Sequence, residues 1–563
     1  MSEGIGLGRT DTMPVIEVAW SEQGAPRRQV AWRGTTPLGR VEDAEAIGLV
    51  VEQDGGCVRV SVEPQREVRI EAVGARLFMP VAEAKAVYLN GYESWTDSVE
   101  RDPWESMRGL RGVPKRVVEK YVLDGSGDYR FTTYAHKRGE QHGFGYGYLR
   151  WDDESVTLVG SLDEDGGFTT VRTSATRREV RLEKEPPATP VDAGERRDLL
   201  SFCQVEAPSL DQALDAWLGR ARFGGRLADE VLGAKASALL GFTSWYRHYE
   251  HIDEAGLLGD LDGTARALED VADLTEGFER VFQVDDGYAK VGDWLDVDAE
   301  KFPHGLVPIA AAAHDRGLKA GLWLAPFLCE RDSRLFLEHA DWLARDATGE
   351  AIPCGCNWSG SFALDVELPE VRDYLRHVLE TVCGAWGFDI LKLDFLFAAC
   401  MVPHAGKNRG ELMASALDFV RSCVGSDVHL LLCGVPMMSA FGRAEWCRVG
   451  CDVSLDWDDM WYMRLLHRER VSTKRSLANT LGRAHLDRRA FRVDPDVFFL
   501  RDEGLKLSPE QKERLLEADV ASGGVLLTSD DMGAWDEGQR LRYHDAILEL
   551  ARKERGRNSH NPQ

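Results

Sequence analysis

The chain reads as two folds in series, an antiparallel β-sandwich followed by a (β/α)8 TIM barrel. Three observations predict this. Up to residue 205 apolar and polar residues alternate at period two, as in Cys57-Val58-Arg59-Val60-Ser61-Val62 and Glu179-Val180-Arg181-Leu182, between Gly- and Asp-rich turns. Beyond residue 236 short apolar strands alternate with amphipathic helical stretches. Charged side chains then gather at the C-terminal ends of those strands, the face on which barrels of this kind do chemistry.

In chain order, the sandwich takes residues 1–208 and includes a surface loop at Pro186-Pro187-Ala188-Thr189-Pro190. A helical linker follows over 209–236, made of a Leu210–Leu218 helix and the Gly-containing run Ala221–Gly233. The barrel spans 237–553 and a tail 554–563. Its eight strands are expected at Ala238–Trp245, Val281–Asp285, Ala320–Pro326, Asp389–Asp394, His429–Cys433, Cys447–Asp452, Val497–Leu500 and Gly524–Thr528. Helices are expected at Val371–Trp386, Gly410–Val424 and Pro509–Ala521, with the connection after the third strand unusually long.

Composition excludes several functions. The 563 residues are 44% apolar and 29% charged, the balance of a globular protein. With 68 Lys plus Arg against 94 Asp plus Glu, the net charge of -26 opposes nucleic-acid binding. The start Met1-Ser2-Glu3-Gly4-Ile5-Gly6 has no signal-peptide pattern, and no stretch is long and apolar enough for a membrane span, so a cytoplasmic location is expected. The 11 scattered cysteines, Cys354-Gly355-Cys356 included, lack zinc-site spacing and read as reduced, mostly buried thiols.

The fourth strand is the most informative. Phe388-Asp389-Ile390-Leu391-Lys392-Leu393-Asp394-Phe395 places Lys392 and Asp394 on one face of a buried strand, where a lone carboxylate would cost several kcal/mol. Asp394 is therefore a paired structural ion or a group kept for chemistry. At the ends of other strands lie Trp245 and Tyr246, Asp285 and Asp286, Trp323, Cys433, Arg448 and Asp452. Two carboxylates from different strands, flanked by aromatic platforms and hydrogen-bonding groups, form the apparatus of glycoside hydrolysis, with no metal or other cofactor required. Lys392 would favour an ionised Asp394 nucleophile, and Asp452 would carry the proton if the Asp394 anion lies near it. Plainer readings stay open for each: a Lys392–Asp394 salt bridge, turn capping by Asp452 or Asp456, a strand-ending turn at Asp285-Asp286-Gly287, and core packing for Trp245 and Trp323.

Ordered motifs from Asn90 to Asp531 resemble those of glycoside hydrolase family 36, the α-galactosidases, in its short bacterial branch. They are Asn90-Gly91-Tyr92-Glu93-Ser94-Trp95, Gly241-Phe242-Thr243-Ser244-Trp245-Tyr246, Phe282-Gln283-Val284-Asp285-Asp286-Gly287-Tyr288, Gly292-Asp293-Trp294, Leu322-Trp323-Leu324-Ala325-Pro326-Phe327, Lys392-Leu393-Asp394-Phe395-Leu396-Phe397, Cys433-Gly434, Arg448-Val449-Gly450-Cys451-Asp452 and Asp494-Pro495-Asp496. The resemblance implies a retaining mechanism with Asp394 as nucleophile and Asp452 as acid/base, their carboxyls about 5–5.5 Å apart. It implies that Asp285 and Asp286 hold the 4- and 6-hydroxyls of galactose, and that Lys392 and Arg448 bind ring hydroxyls. Trp245, Tyr246 and Trp323 would wall the pocket, Cys433 would sit near the sugar 2-position, and Trp95 would reach over the barrel mouth from the sandwich.

The implied partner is an α-galactoside oligosaccharide or glycoconjugate, with a homo-oligomer as one possibility. The branch usually has a C-terminal β-domain, which is expected to be missing or reduced after a last helix at Glu537–Arg552. Phe242, where Trp is common, and Met437-Met438 are expected to reshape the pocket near the 2-position. N-acetylgalactosamine or galactosamine as the sugar, and raffinose-synthase-like transfer in place of hydrolysis, therefore remain alternatives.

Overall fold

A computed structural model describes residues 13–33, 36–38, 41–222, 236–458, 460, 461, 463 and 468–558. The chain start read as lacking a leader, most of the expected Ala221–Gly233 linker and the end of the tail lie outside them.

Residues 15–207 build two seven-stranded antiparallel sheets. One runs in the order Thr36–Leu38, Arg28–Arg33, Val15–Ser21, Arg69–Phe78, Glu179–Lys184, Thr169–Ser174, Glu140–Phe144. The other runs Val50–Asp54, Cys57–Val62, Arg197–Ala207, Val156–Ser161, Tyr146–Arg150, Ala86–Leu89, Glu100–Arg101. Alternation sets their inner faces: Ile16, Val18, Ile70 and Leu182 of the first share one core with Val58, Val60, Leu149 and Phe202 of the second. Val156–Ser161 is buried at every position because its second face is covered too. The helix Leu210–Leu218, capped by the Ser209 side chain, lays Trp217 against Gly160, where a Cβ would sit 2.4 Å from the indole.

One cysteine expectation is corrected here. Cys57 and Cys203 stand opposite each other in an antiparallel ladder and are joined as a disulfide, whereas nine others among the described residues are free. They are 146 residues apart in sequence, and only the register brings them together.

From residue 239 onward a curled, nine-stranded parallel ladder takes over. Its order is Arg492–Asp494, Trp446–Arg448, His429–Leu432, Ile390–Leu393, Lys319–Leu324, Glu279–Val284, Leu239–Thr243, Val525–Thr528, Val497–Phe498. All eight expected strands are present, several trimmed at their ends. The seventh is broken: Arg492–Asp494 pairs with one neighbour and Val497–Phe498 with another, so the two ends of the ladder are consecutive pieces of chain. Pro495 between them has no N–H to donate, and Asp496 turns the chain at φ 90°. The expected Cys447–Asp452 strand likewise stops at Arg448, leaving Asp452 in the loop beyond.

Helices Pro369–Glu380, Arg409–Cys423 and Pro509–Ser522 occupy the expected connections, the last two opened by capping boxes at Asn408 and Ser508. Strands with both faces covered read as continuous apolar runs, hence the fully buried Ile390–Leu393. The long third connection forms a small antiparallel sheet of Leu328–Glu330, Pro353–Gly355 and Ser361–Ala363. Among the described residues no helix is long and apolar enough to cross a membrane.

The two parts interlock. The Arg483 guanidinium, fully buried, donates to the carbonyls of Ser94 (2.7 Å), Glu93 (3.0 Å) and Gly91 (3.3 Å), to Asn90 Oδ1 (3.1 Å) and to the carbonyl of Val449 (2.8 Å). One parallel-ladder helix thus fixes both the loop carrying Trp95 and the strand end that leads to Asp452.

Candidate active site

At the C-terminal ends of the ladder, side chains from seven strands or strand-end loops converge. Asp285, 2% exposed, accepts at Oδ2 from Lys392 Nζ (2.8 Å), the Thr243 hydroxyl (3.2 Å) and Gln283 Nε2 (3.3 Å). Burial works against the Lys392 charge, but the Asp285 carboxylate holds the ammonium above its ordinary range, with Asp394 adding to the effect. The ion pair made by Lys392 is therefore with Asp285 and not with its strand neighbour Asp394.

Asp394 accepts from Trp323 Nε1 at 3.2 Å on one oxygen and from the Phe395 backbone N–H at 2.8 Å on the other. That second bond comes from a left-handed turn, with Phe395 at φ 52°, which swings the chain off the strand just past the carboxylate. Gly434 packs against this turn at φ 54°; a Cβ there would lie 2.8 Å from the Phe395 nitrogen and 3.0 Å from the Trp95 ring.

Trp95 arrives from the antiparallel part. Its indole N–H meets Cys433 Sγ at 3.3 Å, and its ring stands edge-on to Phe395 at 5.0 Å. Burial, reinforced by Asp394, pushes the Cys433 thiol well up, so it is neutral and protonated.

Arg448 organises the opposite side. Its guanidinium spans Asp452 (2.9 Å), Asp494 (3.1 Å) and Asp496 (2.8 Å). Asp496 in turn accepts from the Tyr246 hydroxyl (2.6 Å) and the Val453 N–H (2.8 Å), which ties the loop beyond Asp452 to this cluster. Burial, opposed by Arg448 and aided by Asp452 and Asp494, pushes the Asp496 carboxyl up to about 7.

The Asp452 side chain keeps 47% of its surface open. Its carboxyl is nevertheless raised, first by loss of water around it and then, against Arg448, by the Asp394 anion. Asp394 is thus near enough to Asp452 to be among the groups that raise its carboxyl.

Trp245 packs edge-on to Tyr249 at 5.2 Å, half-buried at the margin, while Tyr246 is buried. Two expected pocket-shaping positions lie elsewhere. Phe242 stacks on Phe282 in the core, and Met437 and Met438 are buried against the antiparallel part beside Tyr92, Phe144 and Gly145.

One residue escaped the sequence reading. Trp358, from the small sheet after the third strand, donates its indole N–H to Asp286 Oδ2 at 2.7 Å and stands 6.2 Å from Trp323 and 5.3 Å from Phe395. Burial, against this hydrogen bond and with Asp285 beside it, pushes the Asp286 carboxyl up to about 7. The only sequence signal was an aromatic in a small, polar loop, Asn357-Trp358-Ser359-Gly360, inside an overlong connection.

The chain is similar in sequence and in fold to known α-galactosidases. Residues 270–413 match the Melibiase family. A 139-residue stretch is 30% identical to an α-galactosidase of Escherichia coli, covering 23% of this chain and 19% of that protein. A 105-residue stretch is 34% identical to α-galactosidase 2 of Pediococcus pentosaceus, covering 19% and 14%. The chain thus aligns with less than a fifth of the length of these curated relatives. Among solved structures, an α-galactosidase from Thermus thermophilus in complex with p-nitrophenyl α-D-galactopyranoside superposes with a TM-score of 0.69 at 28% identity, covering 92% of both chains. The family 36 α-galactosidase AgaA of Geobacillus stearothermophilus shares the fold, at 12% identity and a TM-score of 0.57, over 93% of this chain and 67% of that one. A Melibiase segment over the second, third and fourth strands thus lies within a likeness to a solved α-galactosidase that spans nearly the whole chain.

Proposed function

We propose that this protein is a retaining exo-glycosidase that hydrolyses terminal, non-reducing α-galactosides of the melibiose and raffinose type by double displacement. The observation that carries the reading is the pairing of an Asp394 held by two N–H donors with an Asp452 whose carboxyl that anion helps to raise. A carboxyl that holds its proton more tightly beside a second carboxylate is suited to act as the acid of such a pair. The ladder works as a (β/α)8 barrel of residues 237–553, closed through the broken seventh strand, and the sandwich of residues 1–208 contributes Trp95 to the sugar pocket.

In the first step Asp394 attacks the anomeric carbon, the glycosidic bond breaks, and its oxygen leaves with the proton of Asp452. Asp452, now ionised, takes a proton from water, whose oxygen displaces Asp394 and releases galactose with the α configuration. Each carboxyl ends as it began. Asp285 and Asp286, as acceptors, hold the 4- and 6-hydroxyls, while Lys392 and Arg448 donate to ring hydroxyls. Trp245, Tyr246 and Trp323 bound the sugar, with the neutral Cys433 thiol toward its 2-position. Phe242, Met437 and Met438, the residues that kept a 2-amino sugar as an alternative, are buried, which supports the galactose reading.

The test is turnover of the nitrophenyl glycosides of α-galactose, α-N-acetylgalactosamine and α-galactosamine, with and without a sugar acceptor. The expected result is hydrolysis of the galactoside in preference to the other two, with free galactose as the main product. Release from N-acetylgalactosaminide alone, or transfer to the acceptor as the main reaction, would replace this reading.

A further inference from the structure

Away from the candidate active site, a cavity of about 210 Å³ opens between the segment that follows Trp95 and the start of the helix Thr473–Arg483. Four of its lining residues are arginines, Arg101, Arg108, Arg468 and Arg475, against two carboxylates, Asp97 and Glu105. In a chain of net charge -26, a lining with two positive charges in excess runs against the average.

The carboxylates are engaged except at Asp97 Oδ1, which is buried without a donor. Asp97 is paired with Arg101 and, at 3.4 Å, with Arg475, and Glu105 lies 3.0 Å from Arg101. Arg108 is exposed and makes no ion pair among the described residues. Arg468 is 3% exposed and spends its terminal nitrogens on the carbonyls of His142 (3.3 Å) and Asp97 (3.2 Å) and on the His142 ring. Its Nε, and that of Arg475, are buried without an acceptor. Buried guanidinium N–H groups lacking acceptors call for an oxygen-rich partner, and a tetrahedral oxyanion satisfies several forks at once.

We propose that this cavity is a binding site for a phosphate-class oxyanion, either inorganic phosphate or the phosphoryl group of a small metabolite. Arg108 and Arg475 grip it from the open side, and Arg468 adds its charge from beneath. The backbone makes the site consequential. Asp97 N–H donates to the Arg468 carbonyl at 2.9 Å, two residues after the Trp95 that caps the catalytic rim, so a bound anion braces that segment.

Calorimetric titration of the full chain in a chloride buffer with inorganic phosphate, and separately with glycerol 3-phosphate, tests this. One saturable site with a Kd below about 1 mM is expected. Arg108→Glu should weaken it about tenfold or more, and Arg108→Lys should retain most of the affinity. Tighter binding of the phosphomonoester identifies a metabolite as the source, and tighter binding of phosphate the free ion. As Arg468→Met risks misfolding, the exposed Arg108 carries the test, with an unchanged melting curve in chloride showing that its variants fold. Absence of saturable heat for both probes up to about 10 mM, or equal affinity in wild type and Arg108→Glu, would overturn the proposal.

Discussion

Asp286 sets, at the scale of a single residue, a pH dependence of stability. Its carboxyl is pushed up to about 7 by burial, so between about pH 4 and pH 7 the folded state holds a proton that the unfolded chain has released. A raised acid of this kind weakens the fold as pH rises through that window. Asp286→Asn, which keeps the shape without the charge, should flatten this part of the Tm-versus-pH curve, and thermal melts across that range measure it. Trp358→Phe removes the indole donor to Asp286 and keeps an aromatic wall. A hydrogen bond to a charged or partly charged acceptor contributes about 1.5–3 kcal/mol, so KM should rise about ten- to hundredfold, with kcat changing less. Steady-state kinetics on the nitrophenyl galactoside read both parameters. Legibility at this scale was uneven. Asp394 and Lys392 stood out because charges inside an apolar strand demand a reason, whereas Trp358 did not, since an aromatic in a loop is common and only the fold brings it to Asp286. The partner of Lys392 was also hidden, because period-two alternation fixes a side chain's face but not which neighbouring strand it meets.

Among elements, the strand ends matter more than the strands. Left-handed Phe395 and Gly434 lock the exits of two adjacent strands against each other and against Trp95. Gly434→Ala drives a Cβ into that contact and is expected to cost about 1–3 kcal/mol in stability and a larger share of activity, measurable by denaturant titration beside kcat/KM. The eight strands and the three named helices were readable because burial on both faces leaves apolar runs and caps leave Asn408, Ser508 and their partners. The break at Pro495-Asp496 was not read. A proline in a strand signals an interruption, but that the two halves would pair with different neighbours depends on how the ladder curls. The same curl explains why Asp452 lies in a loop and not on a strand: the chain leaves the ladder at Arg448, and the guanidinium then reaches forward to hold the carboxyl it precedes.

Across the whole molecule, Arg483 joins the antiparallel part to the parallel ladder. Five oxygen atoms, four of them on the loop from Asn90 to Ser94, depend on this one buried side chain. Arg483→Met should destabilise the protein by about 3 kcal/mol or more, since each buried acceptor left without a donor costs about 1 kcal/mol or more. Loss of activity should precede global unfolding in denaturant as Trp95 is released. Tryptophan fluorescence against residual turnover separates the two events. Sequence periodicity divided the chain into its two halves, yet nothing in it announced Arg483, because an arginine on an amphipathic helix reads as solvent-facing until the antiparallel half is docked upon it. The Cys57–Cys203 bridge was hidden for a different reason, its partners meeting only through the register of a sheet.

The most direct test of the paired carboxylates is chemical rescue of Asp394→Gly. Turnover should fall by at least about a thousandfold, and added azide should restore release of nitrophenol with β-galactosyl azide as the product, because the anion takes the place of the missing nucleophile on the same face of the sugar. Wild-type turnover in the variant, or an α-configured azide, would contradict the role of Asp394 and with it the division of labour between Asp394 and Asp452.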